Sequence, residues 1–188
     1  MKLLNKIKYN KITIGVIGLG YVGLPLLKGF ASQNLKIIGF DVDKKKIIKL
    51  KNRISYIKHI QLDSIRKNKK IIFTSDFQKI SNVDLIILCL PTPLTKNKLP
   101  DLSFIKKTML SIEKYLKSGC LIAIDDTPKD YSMFSNLTES STKIYQERRK
   151  KLGENYTPGK GAKIILNLEI FNDFKIIYHE YSLVLQKV

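Results

Sequence analysis

The run Ile12-Thr13-Ile14-Gly15-Val16-Ile17-Gly18-Leu19-Gly20-Tyr21-Val22-Gly23-Leu24-Pro25 decides the fold. An apolar, strand-like segment passes straight into Gly-x-Gly-x-x-Gly at Gly18, Gly20 and Gly23, and a helical pattern follows. In such a turn the first glycine makes the tight exit from the strand. The second lets a pyrophosphate approach the backbone, and the third lets the helix pack closely on the strand. The amide N–H groups and positive dipole end of that helix then favour phosphate charge. A second apolar run, Leu35-Lys36-Ile37-Ile38-Gly39-Phe40, ends in Asp41, eighteen residues after Gly23. A carboxylate at this distance accepts hydrogen bonds from the adenosine ribose and repels a 2′-phosphate, so it favours NAD over NADP. The neighbouring Lys44, Lys45 and Lys46 pull the other way, because ammonium groups attract a phosphate.

Apolar and polar segments alternate beyond this unit. Strands are expected at 12–17, 36–40, 71–74, 84–90 and 120–124, and the 84–90 run is continuous enough for a strand buried on both faces. Helices are expected over 21–32, and from Asp43 with Ile47, Leu50 and Ile54 on one face. A brief helix is expected from Asp76 to Ile80. Another, capped by Asp101 or Ser103, should run to about Leu116 and bury Ile105, Met109, Ile112 and Leu116. The fold class is therefore α/β, a Rossmann-like doubly wound and mostly parallel sheet. Residues 1–127 are assigned to a dinucleotide-binding domain and 128–188 to a divergent tail. In that tail we expect a charged helix over 138–152 and a hairpin of 163–171 with 174–181 around Asn172-Asp173. The tail should be less well ordered than 12–124, and its hairpin must dock on the sheet edge or on a partner to persist.

The chain carries 34 Lys and Arg against 16 Asp and Glu, a formal charge of +18. Nearly all of that charge is Lys; the four arginines are Arg53, Arg66, Arg148 and Arg149. Nucleic-acid sites lean on clustered Arg and interleaved aromatics, and neither pattern is present, so no nucleic-acid partner is expected. The charge still attracts a polyanion such as a dinucleotide or nucleotide sugar. No apolar run is long enough to span a bilayer and no signal-peptide pattern opens the chain, so we expect no membrane partner and a cytoplasmic location. Cys89 and Cys120 lie in separate apolar runs without metal-ligand spacing, as buried thiols of a reducing compartment.

Several motifs occur together and in order: Gly15-Val16-Ile17-Gly18-Leu19-Gly20-Tyr21-Val22-Gly23-Leu24-Pro25-Leu26, Gly39-Phe40-Asp41-Val42-Asp43 with Lys46, Ser55-Tyr56-Ile57-Lys58-His59-Ile60, Leu90-Pro91-Thr92-Pro93-Leu94-Thr95 and Pro100-Asp101-Leu102-Ser103. Over roughly residues 12–127 they resemble the NAD-binding domain of the UDP-glucose/GDP-mannose dehydrogenase family. The Ser55–Ile60 segment is similar to the bacterial branch that acts on UDP-N-acetyl-hexosamines. The resemblance implies NAD as cofactor and oxidation of a sugar C6 alcohol to a carboxylate in two NAD-dependent steps. It implies a cofactor site in which Gly18 and Gly23 belong to the binding turn, Gly20, Tyr21 and Val22 face the pyrophosphate, Asp41 and Lys46 the adenosine ribose, and Thr92 the cofactor. It also implies that Thr127 stands where the family has a threonine that positions the reactive water, although Asp125-Asp126 replace the preceding Glu-Ser.

Beyond Thr127 the resemblance fails. The family's substrate loop, central helical domain, second nucleotide-binding domain and catalytic Cys and Lys have no counterpart in the sequence. The abrupt loss suggests a truncated, frameshifted or fused reading frame and a catalytically incomplete chain, with a UDP-sugar bound only if the missing domains are supplied. A non-catalytic module that holds NAD or pairs with another subunit is the alternative, and a homo-oligomer stays open. Other constellations carry less. His59 and His179 read as polar or structural positions. Pro158-Gly159-Lys160-Gly161-Ala162-Lys163 lacks the spacing of a phosphate loop, and Asp125-Asp126 lacks a third ligand, so no metal is expected.

Overall fold

Alternating strands and helices build one sheet flanked by helices on both faces. A computed structural model describes residues 3–93, 95–96, 101–124, 174–179 and 183–187. Among them are α1 (Leu3–Lys8), β1 (Thr13–Ile17), α2 (Gly23–Ser32), β2 (Lys36–Phe40), α3 (Lys44–Lys51), α4 (Asp63–Lys67), β3 (Ile71–Thr74), β4 (Leu85–Leu88), α5 (Ser103–Ile112), β5 (Leu121–Ile124), β6 (Phe174–His179) and β7 (Leu183–Lys187). The strand order is β3-β2-β1-β4-β5-β7-β6. The first five strands are parallel, so the Rossmann-like class holds. The order reverses between β1 and β4, and in open α/β sheets ligands bind at the carboxyl ends of strands flanking such a switch point.

The period of two along the strands sorts their side chains into two cores. On one face Ile14, Val16, Ile37 and Phe73 pack with Leu24 and Leu27 of α2, Ile47 and Leu50 of α3, and Ile65 of α4. On the other, Ile17, Ile38, Phe40, Ile86, Leu88, Ile122 and Ile124 pack with Ile105, Met109 and Ile112 of α5. Each such side chain, fully buried, contributes about 1.5–3 kcal/mol.

Local signals explain most boundaries. Asp43 caps α3 by accepting from the N–H groups of Lys45 and Lys46. Asp76 accepts from the Gln78 N–H and starts a 3-10 helix, Phe77–Asn82, where the short helix is expected. The Asp101 carboxylate accepts from the Ser103 N–H at the start of α5. Ile54 does not join the buried face of α3, and is 53% exposed. The helix stops at Lys51, and Arg53, at φ 60°, turns the chain away.

At the C-terminus β6 pairs antiparallel with β7, a strand that the sequence pattern does not single out. The stretches 138–152 and 163–171, with the expected disorder of most of the tail, lie outside the described residues. β7 docks antiparallel on the edge of β5, in register Leu121↔Gln186 to Ile124↔Leu183. Leu185 is fully buried in the α5-side core. The Gly119 N–H donates to the Lys187 carbonyl and the Lys187 N–H to the Cys120 carbonyl, lengthening the ladder. A hairpin that is marginal alone is stabilised here by edge pairing and by the burial of Leu185. β7 is thus an integral strand of the sheet.

At the amino end of the sheet, opposite the switch-point site, Asp84 is 5% exposed. Its carboxylate accepts from Lys6 Nζ at 2.6 Å, Lys117 Nζ at 3.0 Å and the Thr13 N–H at 3.0 Å. One carboxylate therefore ties α1, the start of β1 and the loop before β5. Burial alone would raise its pKa. The Lys6 bond, the Thr13 amide and the Lys117 ammonium outweigh that cost and hold it below the ordinary carboxyl value.

Candidate cofactor site

The carboxyl ends of β1, β2, β4 and β5 lie level, with Ile17 beside Phe40 and Leu88, and Leu88 beside Ile124. The glycine turn, the Asp41 segment and the Pro91-Thr92-Pro93 segment all leave the sheet along this edge. Gly18 has φ 91°, and a Cβ there would lie 2.4 Å from the Cys89 carbonyl oxygen. A Cβ on Gly23 would lie 1.8 Å from the Gly18 carbonyl oxygen and 3.1 Å from Cys89 Cβ. Close packing at the third glycine is therefore chiefly against the turn itself, and secondly against the end of β4. Gly20 is the opposite case: a Cβ there meets nothing within 4 Å. The backbone is bare just where a ligand would approach it.

α2 begins behind this turn without a side-chain cap, because Val22 at its N-cap offers no oxygen. Within its first turn the Leu24 N–H donates to the Gly20 carbonyl and Pro25 has no N–H, so an anion here is met chiefly by the amides that lead into the helix and by its positive dipole end. Tyr21 and Val22 stand 83% and 65% exposed beside them, and Val42 next to Asp41 is 80% exposed. These three apolar surfaces flank the edge where a flat aromatic base or ribose would lie.

Asp41 is buried, and more deeply engaged than a ribose acceptor needs to be. Its Oδ2 accepts from the Leu19 N–H at 2.9 Å and its Oδ1 from the Asp43 N–H at 2.9 Å. Lys46 Nζ lies 3.4 Å from Oδ2 and 5.9 Å from the Tyr56 ring centroid. A carboxylate has about four acceptor positions, so capacity remains for ribose hydroxyls. Lys46 is half-buried against Asp41, whereas Lys44 and Lys45 are exposed. Tyr56 completes the cluster by donating its hydroxyl to the Leu19 carbonyl. Burial, with the nearby Asp41 and Asp43 carboxylates, pushes its pKa well above the ordinary phenol value, so it stays a donor.

The structure brings Gly18, Gly20, Tyr21, Val22, Gly23, Asp41 and Lys46 together at one end of the sheet. Thr92 lies on the segment leaving β4 at the same edge, exposed between Pro91 and Pro93. Thr127, Asp125 and Asp126 lie outside the described residues. His59 is exposed. The cysteines lie on neighbouring strands but at opposite ends, Cys89 just past β4 and Cys120 just before β5. Cys120 is buried, and that burial pushes its thiol up to about 11, leaving it inert near neutral pH. Among the described residues no group of three metal-ligating side chains occurs, and no helix is long and apolar enough to cross a membrane. Tyr56 is the functional candidate that sequence reasoning passed over; its only signal was its place in the Ser55–Ile60 motif.

A uncapped helix N-terminus, a bare glycine and a carboxylate tied to the turn fit a dinucleotide. Comparison with known proteins points the same way. Residues 12–159 match the family model described as UDP-glucose/GDP-mannose dehydrogenase family, NAD binding domain. The chain is 34% identical over 118 residues to a UDP-N-acetyl-D-glucosamine 6-dehydrogenase of Salmonella typhi, covering 63% of this chain and 28% of the relative. It is 31% identical over 116 residues to the enzyme of the same name from Pseudomonas aeruginosa, covering 62% and 27%. Among solved structures, a UDP-D-ManNAc dehydrogenase from Pyrococcus horikoshii aligns with a TM-score of 0.56 at 25% identity, covering 72% of this chain and 32% of that one. The chain thus spans less than a third of the length of each of these relatives.

Proposed function

We propose, for a chain that belongs to the UDP-glucose/GDP-mannose dehydrogenase family and carries its NAD-binding domain, that its cofactor site is the cluster at the carboxyl edge of β1, β2 and β4. The cofactor is NAD, which supplies a hydride acceptor. The residues divide the work of holding it. Gly18 and Gly23 fold the turn, and the amides of Gly20, Tyr21 and Val22 take the pyrophosphate. Asp41, steadied by Lys46, takes the adenosine ribose, and Thr92 touches the cofactor from the β4 side. The observation that carries this reading is the bond from the Leu19 N–H to Asp41. It couples the phosphate-binding turn to the ribose-binding carboxylate across 22 residues of sequence.

The wider activity follows the relatives' names. We assign the substrate class as UDP-N-acetyl-hexosamines and the reaction as oxidation at C6, with Thr127 positioning water. The nucleophilic thiol and the sugar pocket come from outside these 188 residues. Cys120 is buried at the wrong end of the sheet, and Cys89 packs against Gly23. Residues 1–127 form the cofactor unit, and the C-terminal hairpin closes the β5 edge. The 188-residue chain alone therefore binds NAD without turning over a sugar. Absorbance of NADH, followed with a panel of UDP-sugars, tests this; sustained turnover by the isolated chain would overturn the division of labour.

A further inference from the structure

We propose that Tyr56 is a positioning residue for the cofactor, aiming the Gly20 N–H at the pyrophosphate by fixing the plane of the Leu19–Gly20 peptide. The inference rests on the cofactor site described above and extends it to a residue outside the glycine turn. The Tyr56 hydroxyl donates to the Leu19 carbonyl across 37 residues of sequence. That carbonyl and the Gly20 N–H are the two ends of one planar trans peptide, so they point in opposite directions. Holding the carbonyl toward Tyr56 therefore turns the N–H away from it, and the bare Cα of Gly20 leaves open space beside that amide. The preceding peptide is pinned as well, because its Leu19 N–H donates to Asp41. Two consecutive peptides of the turn are thus held by side chains from two other segments.

This arrangement matters because glycine is the residue whose peptide rotates most freely. A turn built of Gly18, Leu19 and Gly20 would otherwise have to be ordered when the anion binds. Preset donors avoid that loss, and preorganisation is what makes hydrogen bonds to charge effective. Tyr56 is itself braced. Ser55 Oγ donates to the Ile57 carbonyl at 2.9 Å and accepts from the Ile57 N–H at 3.2 Å, while Ile57 is buried. On its other side the Tyr56 ring faces Lys46 Nζ. The same lysine pairs with Asp41, so one cluster links the turn, the ribose carboxylate and the Ser55–Ile60 segment.

The test compares NAD, ADP and adenosine binding to the full chain and to Tyr56→Phe by calorimetric titration. NAD and ADP affinity should fall about fivefold to tenfold, the scale of one hydrogen bond. Adenosine affinity should stay within twofold, because adenosine carries no phosphate to sense the peptide. The phosphorus NMR shift of bound ADP should move as well. Unchanged NAD and ADP affinities, or an equal fall for adenosine, would overturn the proposal while leaving the cofactor site standing. Failure of the unaltered chain to bind NAD would instead remove that site and the proposal with it. Should Tyr56→Phe not fold, 3-fluorotyrosine at Tyr56 keeps the hydroxyl and makes it a stronger donor. NAD affinity should then match or exceed that of the unaltered chain, and a fivefold fall would overturn the proposal.

Discussion

Replacing Gly20 with alanine should separate cofactor approach from folding. A Cβ at Gly20 meets no atom within 4 Å, and Gly20 is not among the residues with positive φ. The folded chain can hold the methyl group without strain. Alanine also restricts the unfolded chain, so stability should hold or rise by about 0.4–1 kcal/mol. The bound cofactor has no such freedom, because the methyl occupies the approach to the Gly20 amide. A pyrophosphate pushed away from that N–H forfeits a hydrogen bond to a charged group, about 1.5–3 kcal/mol. At about 1.4 kcal/mol per decade, NAD should bind Gly20→Ala roughly 10- to 150-fold more weakly. Thermal unfolding and calorimetric titration of the same preparation measure the two effects. An unchanged NAD affinity would refute the approach over Gly20. A loss of more than about 1 kcal/mol of stability would show that the space is not open.

Three other substitutions probe different parts of the molecule. Gly23→Ala places a Cβ 1.8 Å from the Gly18 carbonyl oxygen. It should cost about 1–3 kcal/mol in urea denaturation, as overpacking does, and weaken NAD binding; an unchanged midpoint would contradict this. Asp41→Asn keeps acceptor oxygen but removes the charge that repels a 2′-phosphate. It should narrow the gap between NAD and NADP, and a preserved gap in titrations would assign selectivity elsewhere. Asp84→Asn should lower stability at pH 7 by about 1–3 kcal/mol through loss of charge-assisted bonds. Because the folded-state pKa of Asp84 is depressed, this advantage is complete above the ordinary carboxyl pKa of about 3.9. It disappears as pH falls through the lower folded value. Urea denaturation across pH should show the two proteins converging in acid, and a gap that widens in acid would reverse the sign.

Much of the sheet can be read along the chain because its information is local. The strand at 36–40 appears at its expected bounds, and β1 and β5 begin within one residue of theirs. Glycine spacing and Asp41 likewise mark the site without any tertiary knowledge. What Asp41 does in the absence of ligand was not readable, since its bonds to the Leu19 and Asp43 amides depend on a particular backbone course. Tyr56 lay hidden for the same reason: a hydroxyl reaching a carbonyl 37 residues away leaves no periodic trace. α4 spans only five residues, too few for a 3.6-residue period to register. The run Leu183-Val184-Leu185 is too short to stand out as a strand along the chain. Docking against β5 selects β7, and that pairing joins residues about sixty apart in sequence.

Calorimetric titration of the 188-residue chain with NAD and NADP in parallel tests the cofactor site most directly. Asp41 at the tip of β2, tied to the glycine turn and engaging Lys46, predicts saturable one-to-one binding of NAD. It predicts NADP affinity at least about tenfold weaker, the scale of one lost charge-assisted bond. Equal or tighter binding of NADP would show that Lys44, Lys45 and Lys46 outweigh the carboxylate. No heat of binding with either nucleotide, from a chain that unfolds cooperatively, would contradict the site itself.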